Sequence, residues 1–111
     1  LLPCQACAFT VPVDKPVVIT EWGAGVKYGY HGGADVKFTE EYGVEVYKAQ
    51  IAMQKKMPQL AGTCPWIMKD FRSPRRQLIG IQDDYNRKGV LSEKGEKKKI
   101  WYVLRDWYES L

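Results

Sequence analysis

No apolar run in this sequence approaches the roughly 20 residues that a membrane-spanning helix needs, so no membrane partner is expected. Histidine occurs once, as His31, and cysteine three times, an odd count. Cys4 and Cys7 form a Cys-x-x-Cys, a spacing that can hold metal or cycle as a disulfide. A structural zinc takes about four ligands, and the only others of suitable type are Cys64 and His31. A second Cys-x-x-Cys is missing, and no helical period follows Cys4 as a redox motif requires. Metal or redox function is therefore not expected, and the role of Cys4 and Cys7 stays open. Cys64 lies inside an apolar run and reads as core. A starting Met and a charged-then-apolar leader are also missing; the opening Leu1-Leu2-Pro3-Cys4 reads as the interior of a longer sequence.

What is present is ordinary globular material, with 45% hydrophobic and 27% charged residues. The net charge is +4. Much of the excess sits at Arg72, Arg75 and Arg76 and then between Arg87 and Lys99. A basic patch raises the question of nucleic acid, but no nucleic-acid motif accompanies it. The charge reads as a solvated loop and the polar start of a helix.

Residues 1–15 show no clear period and carry Pro3, Pro12 and the charged pair Asp14-Lys15, a connector. Pro16-Val17-Val18-Ile19-Thr20 is β-branched without alternation, which suits a strand buried on both faces. It ends at Glu21-Trp22-Gly23-Ala24-Gly25, and a Gly-rich loop from Tyr28 to Gly33 holds His31. Thr39 is placed to cap a helix whose first turn carries Glu40 and Glu41, favourable to its dipole. Tyr42, Val46, Ala49, Met53 and Met57 give that helix one apolar face before Pro58 stops it. Leu60 to Met68 reads as a second strand, broken or finished near Pro65. Residues 69–95 form a long polar loop, of a kind that usually carries function. Glu96 to Leu111 reads as a second helix with Ile100, Leu104, Trp107 and Leu111 on its buried side.

The order strand, helix, strand, helix predicts an α/β protein with a parallel sheet. Two strands leave open edges, so further sequence or self-association is expected. Two such units are what a quarter of an eight-stranded barrel supplies, and barrel active sites form at the C-terminal ends of strands. That rule selects Glu21-Trp22 and then Trp66 with the loop running to Lys88. A carboxylate at a buried strand end beside an aromatic ring suits a nucleophile or general acid, and it equally suits a structural ion pair.

Several segments now fall into one pattern. Lys15-Pro-Val-Val-Ile-Thr-Glu21-Trp-Gly-Ala-Gly25 resembles the seventh barrel strand of glycoside hydrolase family 2, which includes β-glucuronidases and β-galactosidases. The resemblance runs on through Phe38-Thr-Glu-Glu-Tyr42, Pro65-Trp66, Asp70-Phe71-Arg72-Ser-Pro-Arg-Arg76 and Asn86-Arg-Lys-Gly89, in order and in register. It implies that the chain is the last two βα units of a (β/α)8 barrel, 1–15 being connector and 16–111 strand-helix-strand-helix. It further implies a retaining exo-β-glycosidase with Glu21 as nucleophile, a β-glucuronide or β-galactoside as substrate, and no metal or organic cofactor. Trp66 matches the wall of the sugar site. Asn86 and Lys88 match an Asn-x-Lys-Gly segment that meets the sugar carboxylate in β-glucuronidases. Arg72 and His31 are weaker candidates for the cleft. The family's acid/base glutamate follows an Asn, and no Asn-Glu pair exists in this sequence; the partner carboxylate is expected in the barrel upstream. Two other readings remain: a β-galactosidase-like enzyme, and a non-catalytic module binding carbohydrate or protein.

Overall fold

The computed structural model describes residues 11–111. Cys4, Cys7 and most of the connector lie outside the described residues. Strand β1 spans Val17–Ile19, helix α1 Glu40–Gln54 and strand β2 Leu60–Thr63. A small ladder follows, β3 (Phe71–Arg72) and β4 (Tyr85–Asn86), and then helix α2, Lys99–Glu109.

β1 and β2 are parallel, with Val17 opposite Leu60, Val18 opposite Gly62 and Ile19 opposite Thr63. Parallel neighbours need a crossover, and α1 supplies it. Thr39 starts α1, its Oγ1 accepting the Tyr42 N–H at 3.0 Å. Residues beyond the strands extend the pairing: the Cys64 N–H donates to Ile19 O at 2.8 Å and the Trp66 N–H to Trp22 O at 2.7 Å. Pro65 between them has no N–H to give, which is why regular strand geometry stops at Thr63, well short of Met68.

The expected burial is corrected in three places. β1 was read as buried on both faces, yet Val18 is 56% exposed. Among the described residues β2 is the one strand paired with β1, and a groove of about 480 Å³ runs along Val17 to Trp22 beside Gln50, Met53, Gln54 and Met57. Cys64 is exposed and not in the core. The second helix begins at Lys99, not Glu96, and Leu111, past its end, is 87% exposed.

The core gathers Ala24, Val26, Val46, Tyr47, Ile51, Val90, Ile100, Leu104 and Trp107. α1 meets α2 at Gly43, where any Cβ would run into Val26 and Ile100. Tyr47 and Ile51 widen the buried side of α1 beyond the stripe read from Tyr42, Val46, Ala49, Met53 and Met57, of which Met57 lies past the helix end at Gln54.

Candidate active site

Glu21 leaves the end of β1, and Trp22 after it anchors the turn by packing on Tyr47 and Trp107, ring centroids 4.9 and 6.1 Å away. Gly23 follows at φ 140°, with its Cβ position 3.0 Å from Tyr47 Oη and 3.1 Å from Trp66 O. Only glycine fits there. The extended pairing of Trp66 with Trp22 then brings the two strand ends together. Glu21, Trp22, Gly23, Trp66 and Lys88 line one cleft of about 220 Å³. Glu21 is exposed to this cleft and not shielded as its strand-end position suggested. No ion pair among the described residues engages its carboxylate.

Lys88 arrives by a different route. The segment after β4 is laid against two others: Ile67 N–H donates to Lys88 O at 2.9 Å, Val90 N–H to Ile67 O at 2.8 Å, and Val26 N–H to Arg87 O at 2.7 Å. Lys88 Nζ lies 5.8 Å from the centroid of the Trp66 ring. That ring also meets Phe71 edge-on at 5.6 Å, and the Trp66–Ile67 peptide is cis. Asn86 is buried, its Oδ1 accepting the Lys88 N–H at 3.0 Å in a tight turn, so the amide nitrogen is its remaining polar end.

Beneath this segment sits a buried ionic cluster that the sequence reading missed. Lys98 and Asp70 have fully buried side chains paired at 2.8 Å. Asp70 Oδ1 also accepts the Gly89 N–H at 2.8 Å. Lys98 Nζ donates to Val26 O and to Arg87 O. Arg87 reaches Asp70 at 3.4 Å and Glu93 at 2.6 Å, and its guanidinium stacks on Tyr85. Burial pushes the Asp70 carboxyl up and the Lys98 ammonium down, each opposed by the other's charge. In the sequence Lys98 is one lysine in a run of three, and its partner lies 28 residues away. Nothing local distinguishes it from its solvated neighbours.

The two weaker candidates are not brought to the cleft. Arg72 is exposed on β3, opposite Tyr85. His31 is 54% exposed and contacts Glu41 at 3.0 Å and Glu40 at 3.6 Å. Its place is in a clip that ties the Gly-rich loop to α1: the Gly32 N–H donates to Glu41 and the Gly29 N–H to Glu40, both at 2.9 Å. Lys99, followed by His31 and the Gly32 N–H, holds the Glu41 carboxyl well below the usual carboxylate range. Among the described residues no three His, Cys, Asp or Glu side chains gather into a metal site, and no helix is long and apolar enough to cross a membrane.

No family model matches the chain. Over 87 residues, 78% of the chain, it is 30% identical to a β-glucuronidase of Streptococcus agalactiae. Over 103 residues, 88% of the chain, it is 32% identical to the β-glucuronidase of Sus scrofa. Among solved structures it superposes on a family 2 β-galacturonidase from Eisenbergiella tayi, solved with galacturonate bound. That match covers 85% of the chain at a TM-score of 0.76 and 34% identity. The chain belongs to the glycoside hydrolase family 2 lineage. It spans 14% and 15% of the two curated relatives and 17% of the solved galacturonidase chain. What it shares with these family 2 glycosidases is thus one α/β segment of a much longer polypeptide.

Proposed function

We propose that residues 16–111 form the last two βα units of a (β/α)8 catalytic barrel, entered through the connector 1–15, and carry the nucleophile half of a retaining exo-β-uronidase site. The observation that carries this reading is the convergence of Glu21, Trp66 and Lys88 on one cleft, from two strand ends and the loop beyond them. The Glu21 carboxylate attacks the anomeric carbon and forms a glycosyl ester. The departing oxygen takes its proton from a second carboxylic acid about 5–5.5 Å away. Water then gives a proton to that same group and displaces Glu21, restoring both carboxyls. This second acid comes from an earlier strand, since the 111 residues hold no Asn-Glu pair.

Trp66 offers an apolar face to the sugar ring, and Lys88 beside it offers a cation to the sugar carboxylate. Asn86 is buried and does not line the cleft; its Oδ1 accepts the Lys88 N–H and so shapes the turn that carries Lys88. β-Glucuronidase and β-galacturonidase relatives support this assignment, because glucuronides and galacturonides share a carboxylate and differ at one ring hydroxyl. The likeness to the Eisenbergiella tayi enzyme makes galacturonides the second reading. A neutral galactoside gives Lys88 no partner.

The test uses the parent polypeptide that supplies the acid/base glutamate. Aryl β-glucuronide, β-galacturonide and β-galactoside hydrolysis are compared with and without Lys88→Ala. Uronides are expected to be preferred, and the substitution to lower their kcat/KM by about tenfold or more while sparing the galactoside. Undiminished uronide turnover in Lys88→Ala would show the carboxylate assignment to be wrong.

A further inference from the structure

Lys98 and Asp70 are fully buried, and taking two charges out of water is costly. Well-packed apolar residues at such positions often serve stability as well or better. The hydrogen bonds of this pair show what the charges do that apolar groups cannot. Lys98 Nζ donates to Arg87 O, and Asp70 Oδ1 accepts from the Gly89 N–H, so the pair grips the main chain on both flanks of Lys88. The same ammonium donates to Val26 O, in the segment that follows Glu21 and Trp22. One buried ion pair therefore ties the two walls of the cleft together. Gly89 permits the close approach, since a Cβ there would strike Asp70 N and Leu91 O. Lys88, by contrast, is exposed, and its ammonium rests over the Trp66 ring. Its direction is inherited from the main chain that Lys98 and Asp70 hold.

We propose that Lys98 and Asp70 are positioning residues for uronate recognition: they fix the Arg87–Gly89 backbone against Val26 and so aim Lys88 across the cleft from Glu21. This rests on the reading of Lys88 as the carboxylate contact. A residue serving stability alone weakens every ligand equally, whereas a positioning residue for Lys88 weakens only ligands bearing a carboxylate.

The parent polypeptide is titrated with D-glucuronate and with neutral methyl β-D-glucoside, following tryptophan fluorescence. Asp70→Asn/Lys98→Met is compared with the unaltered chain; it removes both charges together, so no unpaired buried charge drives unfolding. Backbone amide exchange is measured at Val26 and Gly89 and, as a check on the fold, within α1. The unaltered chain is expected to prefer glucuronate by about tenfold or more, and the variant to lose that preference with its affinity for the glucoside unchanged. Val26 and Gly89 are expected to exchange about tenfold faster in the variant, with α1 protection retained. A folded variant that keeps the preference, or unchanged exchange at Val26 and Gly89, overturns the positioning role. An unaltered chain with no preference for glucuronate overturns the uronate reading and the recognition role with it; the exchange rates then still report separately whether the ion pair anchors the backbone.

Discussion

Trp66 lines the cleft with Phe71 packed against its ring at 5.6 Å and the Lys88 ammonium 5.8 Å from its centroid. Trp66→Leu is expected to weaken glucuronate and neutral glucoside alike by about tenfold, since the loss is of apolar ring contact; fluorescence of the remaining tryptophans or calorimetry reads it. A loss confined to glucuronate would mean that the ring acts by orienting Lys88. At this scale legibility in the sequence was uneven, for a physical reason. Glu21 and Trp66 stand just past the ends of β1 and β2, so the strand-end rule picked out both clusters and the family resemblance gave each residue its role. Lys98 was read as part of a polar helix start, because a lysine's burial depends on Asp70, which no local pattern links to it. Cys64 erred in the other direction: it sits in an apolar run, but the chain turns outward after Thr63 and exposes it.

At the scale of elements, both helices were legible, and so was the start of α1, but not the end of α1 or the start of α2. Thr39 caps α1 as expected. Glu40 and Glu41, read as dipole partners of α1, also serve α2. The N-cap of α2, Lys98, makes no side-chain cap bond, and Glu40 Oε1 accepts the Lys99 N–H at 2.7 Å in its place. Glu40 is 4% exposed, so Glu40→Ala is expected to cost about 1–2 kcal/mol in urea unfolding and to speed amide exchange in the first turn of α2. A change confined to α1 amides would contradict the shared cap. Glu41 yields a pH prediction. Its folded-state pKa is depressed by Lys99, then His31 and the Gly32 N–H, so its contribution is present above the ordinary carboxylate pKa and is lost as pH falls through the depressed value. Glu41→Gln is therefore expected to lower Tm at neutral pH, with the gap to the unaltered chain closing only in strong acid. A gap that closes on the alkaline side of pH 5, above the ordinary carboxylate range, would contradict the assignment.

For the whole molecule, alternation of strand and helix was enough to indicate an α/β chain with parallel strands, and β1 and β2 are parallel. The sequence did not reveal how much of β1 stays uncovered. Val18 is exposed, and the Gln54 amide, 2% exposed, has no hydrogen-bond partner among the described residues. Both flank the groove along β1 where a preceding barrel unit is proposed to pack. The helix pair closes the other side through Gly43. Gly43→Ala is expected to cost about 1–3 kcal/mol in denaturant unfolding, because overpacking against Val26 and Ile100 outweighs alanine's better helix propensity. Increased stability would mean that α1 and α2 can move apart freely.

The proposed function turns on Glu21 as the nucleophile of a uronide-directed site. A fluorinated glucuronosyl fluoride addresses it most directly, because its activated leaving group reduces the need for the acid and its fluorine slows hydrolysis of the ester. The parent polypeptide is incubated with it, digested and mapped by mass spectrometry. A glucuronosyl adduct is expected on Glu21, lost in Glu21→Gln and slower to form in Lys88→Ala. An adduct on another carboxylate, or on Glu21 at the same rate without Lys88, would contradict it.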